Sequence, residues 1–321
     1  MKDSLASAIA RLTADRVPSP RMNAELLLMF TLNCDRAYLY AHPERELTPD
    51  EQSRYDAALA ERCSGKPAQY ITGHQEFWGM DLIVTPAVLI PRPETEHVVE
   101  AVLELAGLPQ GLKPEYAGDS YGTAEAVPFP KTGNEGPTAG TRAASDIRRS
   151  VAPRTLRIAD VGTGSGCIAL ALAKELPQAE IQAIDISAAA LEIARANAAR
   201  HQLDARIHFQ QADLLSETPR QSLDFVVSNP PYVGQSEAEQ VQLEVRKFEP
   251  KLAVFAGATG LEVIEKLVPQ ALQALKPSGW LVMEISGAIA DRVPRLLRDW
   301  QRVSLRKDLQ GIPRVAVVRK P

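Results

Sequence analysis

With 321 residues, 45% of them hydrophobic and 24% charged, the chain has the apolar content to fold as two or three domains and is not a disordered or low-complexity sequence. Its formal net charge of −4 argues against a generally basic, phosphate-seeking surface, and three widely spaced cysteines (Cys34, Cys63, Cys167) argue against a disulfide framework and fit a reducing cytoplasm. No apolar run approaches the ~18 residues of a membrane span, and the histidines and cysteines show no metal-ligand spacing.

Residues 1–70 read as a helical module. Leu5, Ile9 and Leu12 fall on one helical face. Ser19-Pro20 predicts a second helix, with serine as N-cap and proline at the first helical position, running into the apolar stretch 26–32. Residues 35–42 fit a short helix. Thr48-Pro49-Asp50-Glu51 is a capping box; the helix it opens presents Tyr55, Ala58, Leu59 and Arg62 and stops near Gly65. Such a module is either a stabilising appendage or a substrate-docking domain.

Residues 71–106 have a different texture. Phe77-Trp78-Gly79-Met80 and the β-branched residues after it predict a hairpin connecting two domains. Ile90-Pro91-Arg92-Pro93-Glu94-Thr95-Glu96 is a stiff, proline-punctuated loop that opens a helix ending at Leu105. Residues 107–153, rich in Gly, Pro, Thr, Ser and Ala without a sustained apolar period, read as a flexible insertion and carry no assigned chemistry.

From residue 154 to 321 strand and helix patterns alternate. Strands are expected at 156–161, 181–186, 207–210, 223–227 and 280–285, and helices at 167–176, 188–199, 261–275 and 288–300. Two further strands, 303–307 and 315–319, are joined through Gly311-Ile312-Pro313. The alternation predicts an α/β fold: a mostly parallel seven-stranded sheet with helices on both faces and one reversed strand.

Two stretches carry chemistry. The first βα turn is Asp160-Val161-Gly162-Thr163-Gly164-Ser165-Gly166, where glycines allow a sharp turn and close approach of a ligand. The G-x-G-x-G spacing is not the G-x-G-x-x-G of a dinucleotide site, and no lysine follows to make a phosphate-cradling loop. The second is Ser228-Asn229-Pro230-Pro231-Tyr232-Val233, where two prolines stop the fourth strand. Asp160, Asp185, Asp213 and Asn229 lie at or just beyond four successive strand ends, where open α/β sheets bind ligands. Asp185 is placed to accept hydrogen bonds from ribose hydroxyls, and Asp213 to meet an adenine amino group.

The glycine loop, the acidic residue after strand two and Asn-Pro-Pro-Tyr after strand four together resemble class I (Rossmann-like) S-adenosylmethionine-dependent methyltransferases. Gln69-Tyr70-Ile71-Thr72-Gly73, Phe77-Trp78-Gly79, residues 90–96, Phe248-Glu249-Pro250, Gly260-Leu261 and the segment 308–314 make the chain more narrowly similar to the HemK-like release-factor glutamine methyltransferases. It departs from them at Glu94, where an aspartate is common, at Leu214, where an aromatic often holds the adenine, and at Thr259, which replaces an acidic residue. The resemblance implies methylation of the side-chain amide (N5) of the glutamine in the Gly-Gly-Gln motif of bacterial peptide chain release factors, and so a role in translation termination. It implies Gly162, Thr163, Gly164, Ser165, Gly166, Asp185, Asp213, Leu214 and Asn229 as cofactor contacts, and Asn229, Pro230, Pro231 and Tyr232 as substrate contacts, with Asn229, Pro230 and Tyr232 catalytic. No metal is called for. The expected protein is a cytoplasmic monomer whose partner is a release factor, with no direct nucleic-acid or membrane partner.

The residues supply a mechanism for that reaction. A planar amide nitrogen is a poor nucleophile; the rotation barrier of ~18–20 kcal/mol measures its conjugation. A site can hold it in line with a sulfonium methyl and offer acceptors to both N–H protons, here the Asn229 side-chain oxygen and the Pro230 carbonyl. Tyr232 would pack against the flat amide as it gains charge. The same geometry would serve an exocyclic amino group of adenine or guanine, so a nucleic-acid methyltransferase is the rival reading. A non-catalytic nucleotide-binding scaffold is the alternative of another class.

Overall fold

The computed structural model describes residues 1–107 and 155–321; the insertion expected over 107–153 lies, Gly107 apart, outside them. The chain begins with α1 (Lys2–Ala14), α2 (Pro20–Leu32), α3 (Arg36–Ala41), α4 (Pro49–Cys63) and the short α5 (Ala68–Thr72). The capping box forms as its residues dictate: Glu51 N donates to Thr48 Oγ1 (3.2 Å) while Thr48 N donates to Glu51 Oε2 (2.9 Å). Such a cap stabilises a helix by about 1 kcal/mol. Asp35 caps α3 in the same sense, accepting from Tyr38 N at 2.8 Å. Ser19 does not act as the expected cap of α2. It sits at φ 49° with no side-chain bond to the helix, and Asn23 Nδ2 turns back instead, donating to Pro18 O (2.8 Å) and Ser19 O (3.2 Å).

These helices enclose a core of their own around Leu12, Leu27, Leu28 and Tyr55, whose hydroxyl donates to Ala24 O at 2.9 Å. Each such side chain contributes about 1.5–3 kcal/mol by leaving water. Arg62, on the face of α4 read from the sequence, is buried and binds Asn23 Oδ1 (2.7 Å) and Glu244 Oε2 (2.9 Å), the second of these on the far side of the domain junction.

The hairpin follows as β1 (His74–Phe77) and β2 (Met80–Ile83), joined by Trp78 and Gly79 at φ 54° and 66°. Positive φ at both turn residues matches the right-handed twist of the paired strands. Next, α6 (Glu96–Leu105) leads to the described start of the second domain: β3 (Arg157–Val161), α7 (Cys167–Glu175), β4 (Glu180–Asp185), α8 (Ala188–Arg200), β5 (Ile207–Gln211) and β6 (Leu223–Ser228). After these come β7 (Val233–Gly234), α9 (Leu243–Phe248), α10 (Lys251–Val254), β8 (Phe255–Gly257), α11 (Glu262–Ala274), β9 (Leu275–Glu284), α12 (Val293–Leu296), β10 (Gln301–Lys307) and β11 (Pro313–Arg319).

The main sheet has seven strands in the order β10-β11-β9-β6-β3-β4-β5; β9, β6, β3, β4 and β5 run parallel and β11 is antiparallel to both neighbours. This is the sheet with one reversed strand expected from the sequence. Alternate residues feed two cores. Ile158, Phe225, Val227 and Val282 pack toward α6 and α7, while Ala159, Val161, Val226, Leu281 and Met283 pack toward α11. Strand order reverses at β3, with β4 on one side and β6 on the other, so a crevice opens above their carboxyl ends.

Two further expectations are corrected. Residues 288–300 form one short helix, α12, flanked by turns such as Ile289 N to Ser286 O (3.2 Å) and Arg292 N to Ile289 O (2.9 Å). Pro294 has no N–H to continue an α-helical ladder, yet Ile289, Val293, Leu297 and Trp300 still bury their apolar faces. The strand expected at 280–285 begins earlier, at Leu275, which pairs with Leu223; the pairing resumes at Phe225 with Trp280, so residues 276–279 bulge out of register.

Candidate active site

The glycine loop leaves β3 and is pinned to β4. Gly162 N and Thr163 N donate to Ile184 O (2.8 and 3.0 Å), and Gly164 N donates to Asp185 Oδ2 (2.9 Å). The other oxygen of Asp185 accepts from Ser187 N at 2.9 Å. Burial pushes the Asp185 carboxyl up, and the backbone N–H groups of Ser187, Gly164 and Ile186 oppose that shift. Gly162 and Gly164 stand at φ 72° and 55°, and a Cβ on Gly162 would meet nothing within 4 Å. Gly166 faces the other way: a Cβ there would stand 3.2 Å from Ala194 Cβ and Leu170 Cδ1, so this glycine lets α7 lie close on α8.

Asp160 is fully buried beneath the loop. Its Oδ2 accepts from Thr163 Oγ1 (2.6 Å) and Ala169 N (3.1 Å), and its Oδ1 has no partner. Burial pushes this carboxyl up to about 7. It therefore shapes the loop from below and is not on the crevice wall with Asp185, Asp213 and Asn229. Asn197, fully buried on α8, was not singled out from the sequence. It accepts from Ile83 N (2.7 Å) and donates to Ile83 O (3.0 Å) and Ser165 O (2.9 Å), so one side chain ties hairpin to glycine loop.

A cavity of about 500 Å³ lies over the carboxyl ends of β3, β4 and β5. Gly162, Thr163, Gly164, Ser165, Asp185, Asp213, Leu214 and Asn229 line it. Ile186 and Leu252, exposed at 55% and 76%, also lie on its wall, and a ligand there would cover apolar surface that now faces water. The mixture of apolar walls and a carboxylate at the end of β4 fits the adenosyl part of S-adenosylmethionine.

A second cavity of about 720 Å³ meets the first at Leu89, Asn229, Pro231 and Ala253. Tyr232, Arg92, Gln69, Glu244 and Arg314 line it. The Pro230 ring is buried and lies on neither wall. Asn229 thus stands at the passage between the two chambers. Its Nδ2 donates to Thr95 Oγ1 at 3.1 Å; Thr95 Oγ1 donates to Glu284 Oε2 at 2.6 Å, and Tyr232 OH donates to Glu284 Oε1 at 3.1 Å. Burial pushes Glu284 up, opposed by those two hydroxyls, and burial likewise pushes the Tyr232 phenol up, so it stays protonated.

The passage is braced from outside. Gly260, at φ 84°, lies so close that a Cβ would stand 2.6 Å from Tyr232 O. The Arg92 guanidinium pairs with Glu249, whose Oε2 also accepts from Ile90 N at 3.3 Å. Thr95 and Glu284 escaped the sequence reading. Thr95 lies in the proline-punctuated loop with no local signal of a role, and Glu284 has the pattern of an ordinary strand residue.

Comparisons with known proteins identify the family. Residues 3–73 match the family described as PrmC N-terminal domain, and residues 145–247 match the methyltransferase small domain. A release factor glutamine methyltransferase of Koribacter versatilis (strain Ellin345) is 51% identical over 324 residues, spanning 100% of this chain and 99% of the relative. The chain belongs to the release factor glutamine methyltransferase family. Another member, from Moorella thermoacetica, is 39% identical over 298 residues, spanning 93% of this chain and 89% of its own. Among solved structures, the hMettl16 catalytic domain in complex with MAT2A 3'UTR hairpin 6 superposes with a TM-score of 0.51 at 16% identity, covering 89% of this chain and 92% of that one. At that identity the likeness is one of fold, and it is the class I methyltransferase fold. Among the described residues no helix is long and apolar enough to cross a membrane.

Proposed function

We propose that this methyltransferase transfers a methyl group from S-adenosylmethionine to the side-chain amide nitrogen of the glutamine in the Gly-Gly-Gln motif of a peptide chain release factor. The observation that carries the reading is the meeting of two chambers at Asn229, one suited to the donor and one open to a protein segment. Family membership supports the reaction and the acceptor together.

When bound, S-adenosylmethionine supplies an electrophilic methyl group on its sulfonium. The residues of this chain do the rest. The Asp185 carboxylate would accept from the ribose hydroxyls, the loop 162–165 would hold the methionine portion, and Asp213 and Leu214 would hold the adenine. Asn229 Oδ1 and the Pro230 carbonyl accept the two N–H protons of the glutamine amide, and the consecutive prolines hold both acceptors still. Those bonds strengthen as the nitrogen gains positive charge, so they favour the transition state over the bound substrate. Tyr232 lies against the amide plane. The N–C bond forms as the C–S bond breaks, and the methylated nitrogen returns to neutrality by releasing its proton to solvent.

The helical module serves as the docking surface for the release factor. Met22, Leu26 and Phe30 make a partly exposed apolar stripe on α2, with Met22 44% and Phe30 48% exposed.

The test is transfer of labelled methyl from S-adenosylmethionine to intact release factor, to its Gly-Gly-Ala variant and to duplex nucleic acid. Label on the intact factor alone is the expected result; label on nucleic acid would replace the acceptor assignment with its rival. In the same assay Asn229→Ala should lower kcat by about 10²–10³-fold, the usual effect of removing one preorganised hydrogen-bonding group.

A further inference from the structure

Glu284 is a buried carboxylate at the end of β9 that the chemistry above does not use, and its two oxygens are both engaged by side chains at the passage. Two oxygens 2.6 Å apart, as Thr95 Oγ1 and Glu284 Oε2 are, need a proton between them. A carboxylate can only accept, so the proton is the threonine's. Having given its one proton away, the Thr95 hydroxyl can only accept at Asn229, and it therefore selects Nδ2, which sits at 3.1 Å. Asn229 Oδ1 is left as the free polar atom of the amide. The remaining carboxylate oxygen takes the Tyr232 hydroxyl.

We propose that Glu284 and Thr95 are positioning residues that fix which way the Asn229 amide faces, so that its oxygen and not its nitrogen meets the N–H of the acceptor. The inference rests on the amide-acceptor reading given above and adds the device that orients it. An Asn229 side chain turned by half a rotation would aim a donor at a donor. The relay can run backwards only if Glu284 carries a proton, which Thr95 would then accept while donating to Asn229 Oδ1. The groups that bear on that proton are Thr95 and Tyr232 in direct contact, Arg314 holding the carboxyl down, Glu94 pushing it up, and the Cys167 thiol, half-buried on the wall of the first cavity and itself pushed up to about 12.

Full-length Thr95→Val, Thr95→Ser and Glu284→Gln test the relay. Thr95→Val keeps the shape and removes the hydroxyl; it should lower kcat by about 10–100-fold while KM for the release factor and Kd for S-adenosylmethionine stay within about threefold. Thr95→Ser keeps the hydroxyl and should stay within about threefold of wild type. The wild-type kcat should fall on the acid side as Glu284 takes up its proton, and that limb should be absent from Glu284→Gln and Thr95→Val. A nuclear Overhauser contact between the Asn229 side-chain NH2 and the Thr95 methyl group should be present in wild type. Equal kcat in wild type and Thr95→Val, equal impairment of the Val and Ser variants, or absence of that contact would overturn the proposal. A wild-type chain that binds S-adenosylmethionine but leaves the release factor unlabelled would overturn the proposed function instead, and the Overhauser contact would still report on the relay.

Discussion

At the scale of single residues, Asp160 and Glu284 are acids that the fold places out of water, one under the donor chamber and one behind the acceptor chamber. Asp160 has a clear thermodynamic signature. Its carboxyl moves from an ordinary value of 3.8 to about 7, with burial as the main cause and the Thr163 and Ala169 bonds opposing it. Between those values the folded chain holds a proton that the unfolded chain has released. This contribution to stability is therefore fully present below about pH 4 and is lost as pH rises to about 7. Asp160→Asn should flatten that decline: an amide oxygen still accepts from Thr163 and Ala169, and no buried charge has to form. Chemical denaturation without cofactor should show the variant gaining on wild type by up to about 4 kcal/mol between about pH 4 and pH 8, with little difference at the acid end. A variant whose stability parallels wild type across the range would show that Asp160 titrates normally.

At the scale of elements, the hairpin of β1 and β2 is tied to the glycine loop although it supplies no residue to either chamber wall. Asn197 is the link, bonded to both backbone groups of Ile83 and to Ser165 O. Truncation leaves the three backbone groups without partners in a buried place. Asn197→Ala should cost about 1–3 kcal/mol, read by thermal or chemical unfolding, and should also weaken S-adenosylmethionine binding by calorimetry because the loop at 162–165 loses its brace. A pure loss of stability with unchanged affinity would mean the loop is held by β4 alone. Most element types were legible from residue pattern and turn chemistry: the capping box of α4, the hairpin at Trp78-Gly79 and the strands of the main sheet, the early start of β9 apart, lie where local rules put them. Residues 288–300 were not, since their apolar spacing satisfies a helix while Pro294 interrupts its ladder and the burial of Ile289, Val293 and Trp300 is achieved by turns.

At the scale of the whole molecule, the helical module and the acceptor chamber share a wall. Arg62 of α4 pairs with Glu244 of α9, Lys247 Nζ donates to Ser64 O at 3.2 Å, and Phe248 Cε2 lies 3.6 Å from where a Cβ on Gly65 would be. A protein substrate that docks on the module would thus be set against the chamber through a fixed junction. Met22→Glu together with Phe30→Glu, both exposed, should raise KM for intact release factor about tenfold, equivalent to 1.4 kcal/mol of binding, and should leave kcat unchanged. Turnover of a short Gly-Gly-Gln peptide should not change, since it has nothing to dock. Equal effects on peptide and protein would place the docking surface elsewhere.

Features that neighbours in the chain decide were legible before any fold was known: helix and strand periods, the cap at Thr48, the hairpin turn at Gly79, the glycine loop after β3 and the proline stop after Asn229. Those signals also place Asp185, Asp213 and Asn229 on one edge of the sheet, because parallel strands in register bring successive carboxyl ends together. Which buried polar groups are partnered across long separations is settled by how the elements pack. Glu284 meets Thr95 across 189 positions and Asn197 meets Ile83 across 114. The same packing sets α7 on α8 at Gly166 while Gly162 and Gly164 face the crevice. A buried donor or acceptor must find its complement wherever the fold brings one near, and no local period or turn rule encodes that choice.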